Sequence, residues 1–270
     1  KDRNAVTTQW FSVWLPGAEE PDWKQLETPS IEILAVTRHG RKLKRGTHQA
    51  NRFRLRLREL TVSADLEQRL QAVLAKGVPN YFGEQRFGHH GGNLQQAEAL
   101  LTGQQRIKDR QKRGLMLSAA RSYLFNQVVA ERLRRGVLGE YLEGDRLMLE
   151  GTTNLSKTTD ATEINQQLAT LALHPTAPLY GQGRALVESD SLALEAAILA
   201  ENQSWCTGLE RAGLHRERRA VRLAVPSLQW SSPDSESLLL SFELPPGCFA
   251  TSVLREVCEY SVAPSPAYSE

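Results

Sequence analysis

The sequence predicts an α+β fold, a sheet domain interrupted by a long and mostly helical insertion. Three observations predict it. Apolar residues alternate with polar ones at 51–60 and again at 238–244, near the two ends of the chain. Over much of the middle they recur at helical spacing. Gly and Pro residues at 77–79 and 245–247 punctuate these runs. A β-then-α-then-β order puts the helical part inside one sheet domain; a single α+β domain with helices on one face is the alternative.

Each element has its own justification. Residues 10–15 are apolar on both faces, as a central strand is, and 31–38 is a second β-rich run after a Pro-rich turn. A basic hairpin arm at 38–45 follows, with turn freedom from Gly40 and Gly46. At 51–60, Phe53, Leu55 and Leu57 point one way while Arg52, Arg54, Arg56 and Arg58 point the other, giving a strand with one wet, basic face. Leu66, Leu70, Val73 and Leu74 form a helical stripe that starts after Ser63 and Asp65 and stops at Gly77 and Pro79. Ser118 reads as the N-cap of a helix burying Ala120, Leu124, Phe125, Val128 and Leu133 and ending at Gly136. Asp190 reads as the cap of another, carrying Leu192, Leu194, Ala197, Ile198 and Trp205. Between 151 and 183 the pattern weakens to loops with one short helix at 163–171. After Pro226, Leu238, Leu240, Phe242 and Leu244 alternate as a strand, Pro245-Pro246-Gly247 turns the chain, and a helix at 249–260 buries Val253, Leu254 and Val257.

Composition limits the class. At 270 residues and 40% hydrophobic, the chain is long enough for one large core or two packed domains. No apolar run approaches the roughly 18 residues of a spanning helix, and no signal-like start is present, so a soluble cytoplasmic protein is expected. The absence of a long apolar surface stripe makes a monomer the expectation. The chain opens on Lys1-Asp2 with no Met before it, and an N-terminal portion is expected to be missing. Cys206, Cys248 and Cys258 contain no C-x-x-C pair, which disfavours a disulfide scaffold and a cysteine-built zinc site. Net charge is only +2, yet 19 of the 33 basic residues lie in three short stretches. These are 38–58, including Arg41, Lys42 and Lys44; 106–113; and Arg211, Arg216, Arg218, Arg219 and Arg222. Such clustering is the footprint of a polyanion-binding face and points to nucleic acid.

Three short constellations suit that partner. Asp2 lies between Lys1 and Arg3, cations that keep a carboxylate ionised and available as nucleophile or base. The run Asn80-Tyr81-Phe82-Gly83-Glu84-Gln85-Arg86-Phe87-Gly88 combines aromatic rings, an amide, a guanidinium and two glycines. It suits an RNA-contacting loop in which Phe82, Gln85 and Arg86 meet the nucleic acid, or alternatively a hinge whose rings pack as core. Phe249 follows a Pro-Pro-Gly-Cys turn at a helix start, placed either to stack on a flipped base or to anchor the helix. His89 and His90 lack a third ligand at regular spacing, so no metal site is expected. No P-loop, dinucleotide fingerprint or G-x-S-x-G elbow is present.

Longer patterns carry more. Lys1-Asp2-x-x-Ala5-x-Thr7-x-Gln9 resembles the Asp motif of the tRNA pseudouridine synthase D (TruD) family without its leading Gly. Asn51-Arg52-Phe53 is similar to that family's G-N-x-F element, with Ala50 in place of Gly, and 78–88 resembles its most diagnostic signature. Residues 117–127 and 246–256 resemble further family blocks in the same order. The resemblance implies a pseudouridine synthase core of mixed or antiparallel sheet at 1–76 and 226–270. A family-specific insertion at 77–225 splits it, and the two form a V-shaped cleft. It implies isomerisation of a uridine, at position thirteen of a tRNA, to pseudouridine without metal or cofactor. It also implies that Asp2 is the nucleophile or base, that Lys1 supports its charge, and that Asn51 and Phe249 bind the target uridine while Phe53 lines the pocket. A non-catalytic tRNA-binding or chaperone module on the same fold is the alternative, and a nuclease using His89 and His90 a third.

Overall fold

The computed structural model describes residues 5–44, 46–61 and 63–261. Lys1 and Asp2 thus lie outside the described residues. The chain divides into two compact units, 1–49 with 261–270, and 50–260.

In the first unit, the described residues hold one 3₁₀ turn at Trp23–Leu26, started by the Asp22 carboxylate, which accepts from the Lys24 N–H at 3.1 Å. A single bridge joins Thr28 and Ile31, and Arg38 pairs with Glu20 at 2.8 Å. The strands expected at 10–15 and 31–38 and the hairpin expected at 38–45 do not form among these residues. Trp14 is 83% exposed and Leu34 66%. An extended apolar run becomes a strand only when another backbone edge takes up its N–H and C=O groups, and side-chain pattern says nothing about that edge.

The second unit contains, in order, β1 Asn51–Leu57, α1 Leu66–Lys76, β2 Val78–Pro79, α2 Gly92–Leu101, α3 Arg110–Arg134, β3 Leu147–Leu149, α4 Ala161–Ala169, β4 Leu173–Leu179, α5 Ser189–Glu201, α6 Gln203–Arg211, β5 Glu217–Ala220, β6 Arg222–Leu223, β7 Gln229–Asp234, β8 Ser237–Leu244 and α7 Ala250–Val257. Helices and antiparallel sheets together make this an α+β unit. One sheet has the order β1-β8-β7, all antiparallel. Its register puts Phe53 opposite Phe242, Leu55 opposite Leu240 and Leu57 opposite Leu238, so the apolar sets of β1 and β8 share one face. Leu70 and Val73 of α1 and Val253 and Val257 of α7 cover that face in a continuous core. Each such fully buried side chain contributes about 1.5–3 kcal/mol. On the outer face, Arg52 pairs with Glu243 and Arg56 with Asp234, so two of the four arginines read as a bare basic face are neutralised across the sheet.

β2 pairs with β6, Val78 against Leu223 and Pro79 against Arg222. The chain therefore leaves the first sheet region and returns to it side by side. Between these points lies a three-stranded sheet of order β3-β4-β5, with three further apolar clusters among the described residues. Arg132, 1% exposed, forms a buried ion pair with Asp145, and Arg218 another with Glu195.

Several local expectations change here. The long helix α3 starts eight residues earlier than Ser118, at Arg110, because the Asp109 carboxylate accepts from the Lys112 N–H at 2.6 Å and supplies the cap. The helix expected from Asp190 to Trp205 is two helices, broken at Asn202, where φ is −119° and ψ 30°. Glu188 is the N-cap residue, and Asp190 sits within the first turn. β4 was hidden in the weak 151–183 pattern, since Pro175 and Pro178 argue against a central strand. Its backbone still pairs: the Pro175 carbonyl accepts from Val221 at 2.9 Å, and the strand is buried almost throughout.

Candidate functional site

Three sequence blocks converge on one point of the second unit. The loop 80–83 leaves β2 and is held through its backbone: the Asn126 side chain of α3 donates to the Phe82 carbonyl at 3.0 Å and accepts from the Phe82 N–H at 2.9 Å. An asparagine at this place copies the pairing of a strand neighbour, which a helix backbone is unable to offer. From the other side the Ser252 hydroxyl donates to the Tyr81 carbonyl at 3.0 Å, and Arg255 forms an ion pair with Glu84. The block at 78–88 is thus clasped between residues of the blocks at 117–127 and 246–256.

The ring of Phe82 is the centre of this arrangement. It meets Phe125 edge-on at 5.5 Å and Phe249 edge-on at 5.9 Å between centroids. The guanidinium of Arg219 lies over it at 4.3 Å and that of Arg86 at 5.5 Å. Phe82 is only 7% exposed, so its ring supports neighbours and has no face to offer to RNA, a correction to the expected contact. Arg86 is half-buried and donates to the Ser118 hydroxyl at 3.2 Å, while Gln85 beside it is exposed. Phe249 is half-buried at the N-cap position of α7.

Arg219 is the residue that sequence inspection missed. From β5 it donates to the Asn80 side-chain oxygen at 2.6 Å and the Gly247 carbonyl at 3.1 Å, and it touches the Cys248 sulfur at 3.8 Å. It therefore ties the 80–83 loop to the turn that delivers Phe249. Burial pushes the guanidinium below its ordinary pKa, the nearby Arg86 charge adding to this, and no carboxylate is among its partners within the described residues. Burial likewise lowers Arg86. The strand pleat explains the assignment: adjacent Arg218 and Arg219 must face opposite sides, and Arg218 goes to Glu195 and Thr176. A signal was present in the alternation running into buried Val221, but clustered charge masked it.

The third basic stretch is likewise not the bare polyanion-binding face expected of it. Arg216 lies over the Tyr180 ring at 4.4 Å and donates to the Gly181 carbonyl, and Arg222 donates to the carbonyls of Leu168 and Leu173. With Arg218 and Arg219 turned inward too, this stretch is mostly internal scaffolding. Arg211 alone of the five is exposed.

Asn51 and Phe53 stand on β1. Asn51 is exposed and opposite Leu244, the last residue of β8, from which the chain passes through 245–248 to Phe249. Phe53 is half-buried against Phe242, with centroids 5.6 Å apart. Arg41, Lys42 and Lys44 are exposed in the first unit, and Lys1 and Asp2 lie outside the described residues. The rings of His89 and His90 lie 3.9 Å apart between centroids, tilted by 58°, in a surface turn where His90 takes a φ of +49°. Burial pushes the Cys206 thiol up to about 11 and raises Cys248 and Cys258 as well, which makes all three poor nucleophiles.

Gly83 sets how closely the blocks approach. A Cβ there would stand 2.7 Å from Thr251 Oγ1 and 2.9 Å from a ring carbon of Phe249. Gly83→Ala is expected to lose about 1–3 kcal/mol by overpacking. Urea unfolding measures this, and adding Thr251→Ala should recover part of the loss because that hydroxyl is buried without a hydrogen-bond partner.

Comparison with known proteins follows the same blocks. A family model described as tRNA pseudouridine synthase D (TruD) matches residues 1–106 and 93–257. A tRNA pseudouridine synthase D of Methylococcus capsulatus is 49% identical over 262 residues, 96% of this chain and 74% of the relative. One from Aeromonas salmonicida is 47% identical over 260 residues, 96% of this chain and 73% of its own. A crystal structure assigned to tRNA pseudouridine synthase D of Methanosarcina mazei superposes with a TM-score of 0.63 at 19% identity, covering 87% of this chain and 74% of that one, a likeness of fold. On the extent of the family match and the identity to these relatives, the chain belongs to the tRNA pseudouridine synthase D family.

Proposed function

We propose that the protein isomerises a uridine of tRNA, at position thirteen, to pseudouridine, with Asp2 as the catalytic carboxylate and without a cofactor. The observation that carries this is the clasp around Phe82, where family blocks far apart in sequence meet through Asn126, Ser252 and Arg219. The bond from C1′ to N1 breaks, the base turns, and a bond from C1′ to C5 forms; the proton leaves C5 and one is gained at N1. Nothing is oxidised or reduced overall, so an acid–base set on the protein suffices. Asp2 opens the path, by attack on C1′ or by abstracting a sugar proton to give a glycal, and Lys1 keeps it ionised.

Asn51 hydrogen-bonds the uracil edge, Phe249 stacks on its face and Phe53 lines the pocket. The stacking role gains support from the way Arg219 and Phe82 fix the turn before Phe249, since a ring used as a platform must be held still. A uridine in a folded tRNA has to be extruded to be reached, and Arg41, Lys42, Lys44, Gln85 and Arg86 hold the RNA meanwhile. We place the catalytic core at 1–76 and 226–270, with an insertion at 77–225 across a V-shaped cleft, acting as a monomer. The adjacency of β2 and β6 and the separate clusters on either side of it support that division. Pseudouridine has the mass of uridine, so the test is carbodiimide labelling of an unmodified tRNA transcript. A single enzyme-dependent stop in primer extension is expected at position thirteen. Binding without any stop would favour the non-catalytic module.

A further inference from the structure

The three basic stretches of the sequence separate once their partners are seen. Cations at 211–222 mostly turn inward, and two of the four on β1 are matched across the sheet. Residues 106–113 behave differently. Arg106, Lys108, Arg110 and Lys112 are exposed and Arg113 half-exposed, and none has an acidic partner among the described residues.

The segment is also built to hold these charges in place. Ile107 is 8% exposed and packs in the cluster that contains Leu101, Met116 and Leu117, so its neighbours Arg106 and Lys108 are anchored on either side of a buried side chain. Asp109, the one acid in the run, directs its carboxylate to the Lys112 N–H at 2.6 Å and caps α3. The acid thus serves the helix terminus rather than a neighbouring cation. Beyond it Arg110, Lys112 and Arg113 occupy the first turn of a 25-residue helix, where the helix dipole adds to their field. Cations at a helix N-terminus are mildly unfavourable for the helix itself, and an anion bound beside them would relieve that.

We propose that residues 106–113 form a phosphate-binding ridge that grips the tRNA backbone away from the target base, contributing affinity and no base specificity. The identity of the RNA as tRNA rests on the function proposed above; the anionic backbone as ligand rests on the charge pattern. An acidic protein is the competing class. It is less suited because the exposed side chains within the run are all charged or polar, four of the six cationic, without the apolar or aromatic anchors that protein interfaces use.

The test compares wild type with Lys108→Ala/Arg110→Ala/Lys112→Ala, substitutions that leave Ile107 and Asp109 in place and put the best helix former into α3. Affinity for an unmodified tRNA transcript is measured from 50 to 200 mM salt, with kcat/KM alongside. The log–log salt slope should become shallower by roughly 2 to 3, so that the triple variant's deficit shrinks by roughly fifteen- to sixty-fold across that range. The charge-preserving set Lys108→Arg/Arg110→Lys/Lys112→Arg should keep the wild-type slope. An unchanged slope in the alanine variant would overturn the ridge, and so would a loss of affinity that salt leaves untouched. Loss of poly-glutamate binding with tRNA binding intact would overturn it in favour of the acidic protein. If wild type bound tRNA but formed no pseudouridine, the proposed function would fail while the slope comparison still decided the ridge.

Discussion

Asp145→Ala is expected to cost about 3–5 kcal/mol of folding stability, a large share of the 5–15 kcal/mol typical of a folded domain. Asp145 receives two hydrogen bonds from Arg132, at 2.9 and 2.7 Å, one from the Leu142 N–H at 2.9 Å and one from the Ser191 hydroxyl at 2.6 Å. All four ties lie within the 77–225 region and join α3 to the start of α5. Removing the carboxylate strands a guanidinium that is 1% exposed, and the remaining Glu140 carbonyl contact offsets little of that. Arg132→Met should cost a similar amount by stranding the acid. For Arg132→Met/Asp145→Ala the losses should fall short of additive by about 0.5–3 kcal/mol, because the second substitution removes a charge already without its partner. Urea unfolding of the four proteins measures the cycle, and additive losses would show that the pair is uncoupled.

Asp2→Asn is expected to abolish pseudouridine formation and leave tRNA binding within about two-fold of wild type. An amide has nearly the shape of a carboxylate but is neither a competent nucleophile toward C1′ nor a base near neutral pH. Losing one acidic charge does not weaken a polyanion complex, whose affinity comes from cations and counter-ion release. Phe249→Ala should act differently. It removes a stacking surface worth about 1–3 kcal/mol, so it should raise KM for tRNA and slow turnover without abolishing it.

Strong periodic patterns made the sheet and its covering helices legible. Leu238, Leu240, Phe242 and Leu244 are all buried, and α1 ends at Gly77, whose φ of +69° is the freedom such a stop requires. Patterns failed where a partner decides the outcome. Residues 10–15 and 31–38 have the apolar content of strands but, the single bridge at Ile31 aside, no paired edge among the described residues, and β4 is a strand although two prolines argue against it. The site divided in the same way. Aromatic, amide and glycine residues in the 80–88 loop marked a segment on which the blocks converge, but the contacts within it depend on neighbours from β5 and α3. Phe82 therefore turned from an RNA contact into a support, and Arg219 from a surface charge into the tie that fixes Phe249. A run of arginines looks the same in sequence whether it faces solvent or carbonyl groups. Only the partners separate 106–113 from 211–222.

The most direct test of the central claim is carbodiimide mapping of one unmodified tRNA transcript incubated in parallel with wild type and Asp2→Asn, each at a concentration shown to saturate binding. A wild-type stop at position thirteen that disappears with Asp2→Asn, at equal occupancy of the RNA, is the predicted result. A stop of equal strength with both proteins would contradict the assignment of Asp2 and, with it, the proposed chemistry.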